Sequence, residues 1–139
     1  MSARVWVPAT TALLARWSAA GEVPAGQGHA VTSALRQQWP DGEDEEWEYA
    51  VLLAAAEEAA SLLEAPGRRV VVVVETGDVR ELEGTRVEFG EPAAWRRVKA
   101  VHADPVGARI QPGAPAEGEA DLGWYAVQEV PDLLDSGPR

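Results

Sequence analysis

The chain has 139 residues, no cysteine and a formal net charge of −11 at pH 7. The length predicts one domain, residues 1–139, that is large enough to bury a core, and the lack of cysteine excludes disulfides and thiolate metal sites. The negative charge argues against nucleic acid and anionic membranes as partners, because both are bound through clustered Lys and Arg. The sequence also lacks a run of about 20 apolar residues and a signal-peptide pattern, so we expect a cytoplasmic protein.

The first forty residues predict one strand and two short helices. Residues 4–7 alternate along a strand that Pro8 ends. Thr10 or Thr11 is expected to cap a helix that stops near Gly21, and residues 21–28 are expected to form a loop. A second helix, capped by Thr32 or a residue nearby, leads into a turn at residues 40–42.

The longest predicted helix opens in an acidic run and leads to a valine strand. Six carboxylates lie from Asp41 to Glu48, and negative charges are stabilising at the positive end of a helix dipole. Asp41 or Asp44 is the expected N-cap. Apolar residues then recur at helical spacing until Pro66 and Gly67. Residues 70–74 are all valine, which predicts an interior strand covered on both faces. Carboxylates at the start of this helix argue against a helix-turn-helix that binds DNA, because such a helix would present basic or amide side chains there.

The second half of the chain predicts strands separated by turns. Residues 86–89 and 98–103 alternate as strands, and the break between them is expected to hold a helical turn near Trp95. Residues 104–121 are expected to form a flexible surface loop, since they offer little to bury. Residues 124–130 are interpreted as a strand, residues 131–134 as a helical turn, and residues 135–139 as a frayed end. This order favours an α+β two-layer sandwich, with a mostly antiparallel sheet of about four to five strands and helices on one face.

Few residue patterns point to catalysis or metal binding. His102 and Asp104 lie two apart at a predicted strand end, and His29 would complete a metal site if it lay nearby. Nothing in the sequence places His29 there. We therefore expect no metal, and we expect His102 to be a surface histidine at the end of its strand. No serine lies in a Gly-x-Ser-x-Gly elbow, and no Walker lysine occurs. The sequence therefore indicates no catalytic residue and no cofactor, and it favours a non-enzymatic protein.

Five segments follow one another in a specific order: VPAT at 7–10, AVTSALR at 30–36, DGEDEEWEY at 41–49, VHAD at 101–104 and WYAVQEVP at 124–131. Together they resemble an uncharacterised actinobacterial family of small acidic proteins, and the likeness covers nearly the whole chain. That family often has proline where this chain has Ser33, at the start of the second predicted helix. The resemblance implies no activity, and it transfers no catalytic residue.

Three functions remain as hypotheses. The favoured one is a protein-interaction or regulatory module that presents an acidic surface with aromatic anchors to a protein partner. The second is a small-molecule-binding protein or enzyme with a pocket near Arg36, His102, Trp124 and Gln128. The third is an acidic nucleic-acid mimic, which needs a continuous stripe of carboxylates. An exposed sheet edge also makes a homodimer a hypothesis. The candidate binding residues are Arg36, Trp39, His102, Trp124, Tyr125, Gln128 and Glu129.

Overall fold

The computed structural model describes residues 3–116 and 122–135. Residues 117–121 of the predicted loop and 136–139 of the predicted frayed end lie outside the described residues. The helices are α1 (Thr11–Ala20), α2 (Ser33–Gln38), α3 (Asp44–Ser61) and α4 (Val130–Asp135). The strands are β1 (Ala3–Thr10), β2 (Glu22–Val23), β3 (Gly26–His29), β4 (Arg69–Thr76), β5 (Val79–Glu81), β6 (Arg86–Phe89), β7 (Ala93–Ala94), β8 (Val98–Ala103) and β9 (Gly123–Tyr125). Two short 3-10 turns cover Trp95–Arg97 and Val127–Glu129.

Seven strands form one antiparallel sheet in the order β5-β6-β3-β1-β4-β8-β9. The predicted α+β class and antiparallel sheet are confirmed, but the predicted count of four to five strands is too low. The strands that the sequence missed are β3, in the predicted loop 21–28, and β5, in a polar segment. β2 and β7 add a separate two-stranded sheet.

Apolar layers cover both faces of the central strand β4. Val72 belongs to a cluster with residues of α1 and α4, whereas Val73 belongs to a cluster with residues of α2 and α3. The predicted coverage of both faces of the valine strand is therefore confirmed. The prediction that the helices gather on one face is wrong, because successive valines point to opposite faces and each face needs its own cover.

Local capping chemistry sets the ends of the helices. The Thr10 and Thr32 hydroxyls accept hydrogen bonds from the N–H groups of Leu13 and Leu35, as the sequence predicted. Gly21 ends α1 at φ 77°, a left-handed conformation that favours glycine. The N-cap of α3 is Glu43, not Asp41 or Asp44.

Side chains of the acidic segment itself cap the start of α3. The backbone N–H of Glu43 donates to the Glu46 carboxylate at 3.0 Å, which is one half of a capping box. Because this carboxylate reaches back from the third helical position, the helix begins at Asp44.

The C-terminal segment forms a short strand and then a helix. The predicted strand 124–130 is wrong beyond Tyr125, where β9 ends. The N–H of Ala126 donates to the Glu129 carboxylate at 3.0 Å, which stabilises a turn there. Pro131 then occupies the first turn of α4, a position that tolerates its missing N–H. Val130 and Leu133 are buried in the core beside α1.

Candidate functional site

The seven candidate binding residues fall into two groups. Arg36 lies on α2, and Trp39 is the C-cap residue of that helix. His102, Trp124, Tyr125, Gln128 and Glu129 lie along β8, β9 and the turn after β9. The two groups are separated across the sheet, because β4 lies between β1, beneath Arg36, and β8, and β9 lies beyond β8.

The first group is built around a pair of tryptophans. The Trp47 indole Nε1 donates to the backbone carbonyl of Trp39 at 3.1 Å. The Arg36 guanidinium carbon lies 5.3 Å from the centre of the Trp47 ring, within range of a cation–π contact. Gly42 lies against both rings, so close that an added Cβ would come within 2.5 Å of Trp47 Nε1. The glycine thus lets the two rings approach each other, and Trp39 stays 39% exposed.

Six carboxylates lie close to this tryptophan pair in the sequence. Asp41, Glu43, Asp44, Glu45, Glu46 and Glu48 occupy the turn before α3 and its first turns. In the described part of the chain none of them forms an ion pair with Lys, Arg or His. Tyr49, at the same end of the helix, is 41% exposed. We name Arg36, Trp39 and residues 41–49 the acidic corner.

The second group lies at the β9 edge, which we define as His102, Trp124 and Tyr125. His102 pairs directly with Trp124 across the two strands, and Val101 pairs with Tyr125. His102 and Trp124 therefore share the α3 side of the sheet, whereas Tyr125 points to the opposite core. Trp124 is 62% exposed. Pairing of this edge with a second copy remains the homodimer hypothesis.

Burial changes the acid–base behaviour of His102. Desolvation lowers the pKa of its imidazole below the ordinary 6.5, because a charged ring loses hydration beside the sheet. Gln128 is exposed, and the Glu129 carboxylate is occupied by the Ala126 N–H. The β9 edge therefore offers one exposed indole beside a mostly neutral imidazole.

One cavity lies next to Arg36, with a volume of about 340 Å³. His102, Trp124 and Gln128 do not line it. β9 is three strands from β1, or about 14 Å across the sheet at ordinary strand spacing. The pocket predicted near Arg36, His102, Trp124 and Gln128 is thus not formed by this cavity.

Sequence reasoning missed a partly buried polar network between the sheet and α3. His29 Nε2 lies 2.7 Å from the Glu58 carboxylate, and Nδ1 lies 2.9 Å from the Thr85 hydroxyl. Arg86 lies 3.1 Å from the same Glu58 oxygen. A hydroxyl, an imidazole and a carboxylate in this order also occur in nucleophilic triads. Here His29 is only 5% exposed, so we interpret the network as a cross-link of α3, β3 and β6.

The residues considered as metal ligands lie apart. His29 lies in β3 and His102 in β8, with β1 and β4 between them. The Asp104 carboxylate pairs with Arg69 at 2.7 Å. Residues 3–116 and 122–135 contain no group of three or more His, Asp or Glu side chains placed to hold a metal ion. No helix among them is long and apolar enough to cross a membrane.

These observations define an α+β fold whose seven-stranded antiparallel sheet has helices on both faces and an acidic, aromatic corner at the start of its longest helix. The chain belongs to DUF6912, a family of unknown function whose model matches residues 3–134. The resemblance to an uncharacterised family is confirmed at that level. A search of the curated proteins and a search of the solved structures each found no match.

Proposed function

We propose that the protein is a non-enzymatic interaction module that binds a basic segment of another protein at its acidic corner. One observation carries the proposal: the Trp39 ring is 39% exposed and lies next to Trp47, which belongs to the stretch 41–48 that contains six carboxylates. Tryptophan is enriched among interface hot spots, and the rim around such anchors is polar.

The charges of the corner favour a basic partner. The six carboxylates lie without ion pairs in the described chain, whereas four carboxylates elsewhere pair with Arg69, Arg80, Arg86 and Lys99. A patch of unneutralised charge steers an oppositely charged partner and fixes its register. Such charges contribute mainly to the association rate and to specificity. We therefore expect the aromatic anchors to supply most of the affinity.

Arg36 acts as part of the corner and not as a competing cation. Its guanidinium lies over the Trp47 ring, which holds α2 and α3 together at this point. That contact keeps the side of Trp47 facing α2 covered. The partner would therefore meet Trp39 first, with Tyr49 as a second exposed ring on the same helix end.

The direct test selects ligands and then removes one ring. The whole chain is used to select binders from a library of random displayed peptides, and the affinity of each selected peptide is measured by calorimetry. We expect selected peptides rich in Arg and Lys with an apolar anchor. Trp39→Ala is expected to weaken their binding by about tenfold or more, because the variant loses the central anchor.

The matched control is Trp124→Ala, since Trp124 is the other strongly exposed tryptophan of the described chain and lies at the β9 edge. It should leave the affinity unchanged. Selection of peptides without basic residues would contradict the proposal. So would an equal or larger loss of affinity in Trp124→Ala.

A further inference from the structure

The cavity beside Arg36 combines an apolar floor with charges of both signs. It lies between the start of β1, the segment after β3, and the helices α2 and α3. Trp6, which is 5% exposed, forms its floor together with Ala30 and Val31. Its volume of about 340 Å³ is at the small end of the range for ligand pockets.

The two signs of charge come from different elements. Arg4 on β1 and Arg36 on α2 supply the cations, whereas Asp44 and Glu48 on α3 supply the carboxylates. Asp44 and Glu48 are four residues apart, which places them on one face of the helix. The helix therefore presents two carboxylates toward a space that two guanidinium groups also line.

These four charges do not neutralise one another. In the described chain Arg4, Asp44 and Glu48 have neither a hydrogen bond nor an ion pair from their side chains, and the contact of Arg36 is with the Trp47 ring. Elsewhere opposite charges meet directly, as Lys99 meets Glu75 at 3.3 Å. Cations and carboxylates that line one cavity without pairing leave room for a molecule that carries both charges.

We infer that this cavity binds a small zwitterion of the free α-amino-acid class, with an apolar side chain. Its carboxylate would pair with Arg4 and Arg36, because guanidinium groups bind carboxylates through paired N–H donors. Its ammonium group would pair with Asp44 and Glu48, and its side chain would lie on Trp6 and Val31. A nucleotide would place phosphates against the two carboxylates, which the same charges oppose.

The experiment titrates the whole chain with alanine, leucine and phenylalanine, and it follows the backbone and indole N–H signals by NMR. We expect at least one of the three to shift the signals of Trp6, Val31 and Glu48, with a dissociation constant below about 10 mM. For leucine, two half-ligands serve as controls on the unmodified protein. Leucinamide lacks the carboxylate, and 4-methylpentanoate lacks the ammonium group. Each should bind about tenfold or more weakly than leucine, since each leaves one pair of charges without a counterpart.

Two substitutions locate the site. Arg4→Gln should weaken amino-acid binding by about tenfold, whereas Arg16→Gln on α1, which lies on the other face of the sheet, should leave it unchanged. Arg4 lies outside the acidic corner, so Arg4→Gln should also retain the binding of basic peptides. Trp39→Ala should show the reverse pattern, because Trp39 does not line the cavity.

The two proposals can therefore fail separately. The zwitterion site is overturned if none of the three amino acids shifts the cavity signals, or if the half-ligands bind as well as leucine. It is also overturned if Arg16→Gln weakens binding as much as Arg4→Gln does. None of these results depends on whether the acidic corner binds a basic peptide.

Discussion

At the residue scale, Asp104 shows how a polar residue of a predicted surface loop becomes part of the core. Its carboxylate accepts hydrogen bonds from the Arg69 backbone N–H at 2.7 Å, from Nε at 2.9 Å and from Nη2 at 2.7 Å. Asp104 is 1% exposed and Arg69 is 7% exposed. The contact fixes the chain after β8 against the first residue of β4.

Removing this carboxylate should be costly. Asp104→Ala removes the carboxylate that pairs with the buried Arg69 guanidinium, so we expect the free energy of unfolding to fall by about 3 to 5 kcal/mol. The measurement is urea unfolding followed by circular dichroism. Glu88→Ala is the control, because it breaks the exposed pair with Arg80 and should change the free energy by less than about 1 kcal/mol. Equal losses of unfolding free energy in the two variants would show that the Asp104–Arg69 pair is no more important to stability than an exposed pair.

His102 should make the stability of the fold depend on pH. Its pKa is lowered in the folded state by burial, whereas the unfolded chain has the ordinary value of 6.5. Below 6.5 the unfolded state therefore binds more protons at this residue, and stability falls as the pH falls toward the lowered pKa. We expect His102→Gln to lose less stability than the unmodified chain between neutral pH and the acidic side of 6.5. Unfolding curves over that range measure the difference, and parallel losses in both proteins would refute the assignment.

Residue-scale features were predictable where the partners are neighbours in sequence. The Thr10 cap, the Thr32 cap and the Gly21 stop all depend on residues three or four positions away. The pairing of Arg69 with Asp104 spans 35 residues, and that of His29 with Glu58 spans 29. No local pattern marks such pairs, so the sequence does not predict that the Asp104 carboxylate pairs with Arg69.

At the element scale, β3 is one of the two strands of the main sheet that the sequence does not predict. Its sequence, Gly-Gln-Gly-His, lacks the apolar alternation that identifies strands. Gly28 is needed because an added Cβ would lie 2.9 Å from the Trp6 carbonyl oxygen and 2.6 Å from a Val5 methyl carbon. Gly28, whose residue type is typical of loops, thus allows β3 to lie close to β1.

The two glycines of β3 provide a matched pair of substitutions. Gly28→Ala forces a Cβ against the backbone of β1, so we expect it to lower the free energy of unfolding by about 1 to 3 kcal/mol. Gly26→Ala meets nothing within 4 Å and should change stability by less than about 1 kcal/mol. Thermal or urea unfolding measures both. Equal effects at the two positions would show that close approach to β1 is not what Gly28 provides.

At the scale of the whole molecule, the sequence predicted the strongest elements but not their arrangement. The valine strand, the long helix and strands 86–89 and 98–103 follow from local pattern. The strand order and the distribution of helices over two faces depend on contacts between distant segments. For the same reason the sequence does not reveal that Arg36 and Trp39 lie apart from His102 and Trp124, with β4 between β1 and β8.

The negative charge of the whole molecule could by itself attract a basic peptide, without any specific role for the acidic corner. A chain of net charge −11 attracts any basic peptide to some degree. The proposed function requires that the carboxylates of the acidic corner contribute more than carboxylates elsewhere. Two double variants separate these effects, because each removes two exposed carboxylates from the molecule. One is Asp41→Asn with Glu45→Gln, at the corner, and the other is Glu57→Gln with Glu64→Gln, toward the opposite end of α3.

The deciding measurement is the dissociation constant of a selected basic peptide for both double variants at about 50 mM and about 500 mM salt. We predict that the corner variant binds about three- to tenfold more weakly at low salt, and that this difference shrinks at high salt as the charges are screened. The variant at the other end of α3 should bind within about twofold of the unmodified chain. Equal losses in the two variants, or a loss only in the second, would contradict binding at the acidic corner.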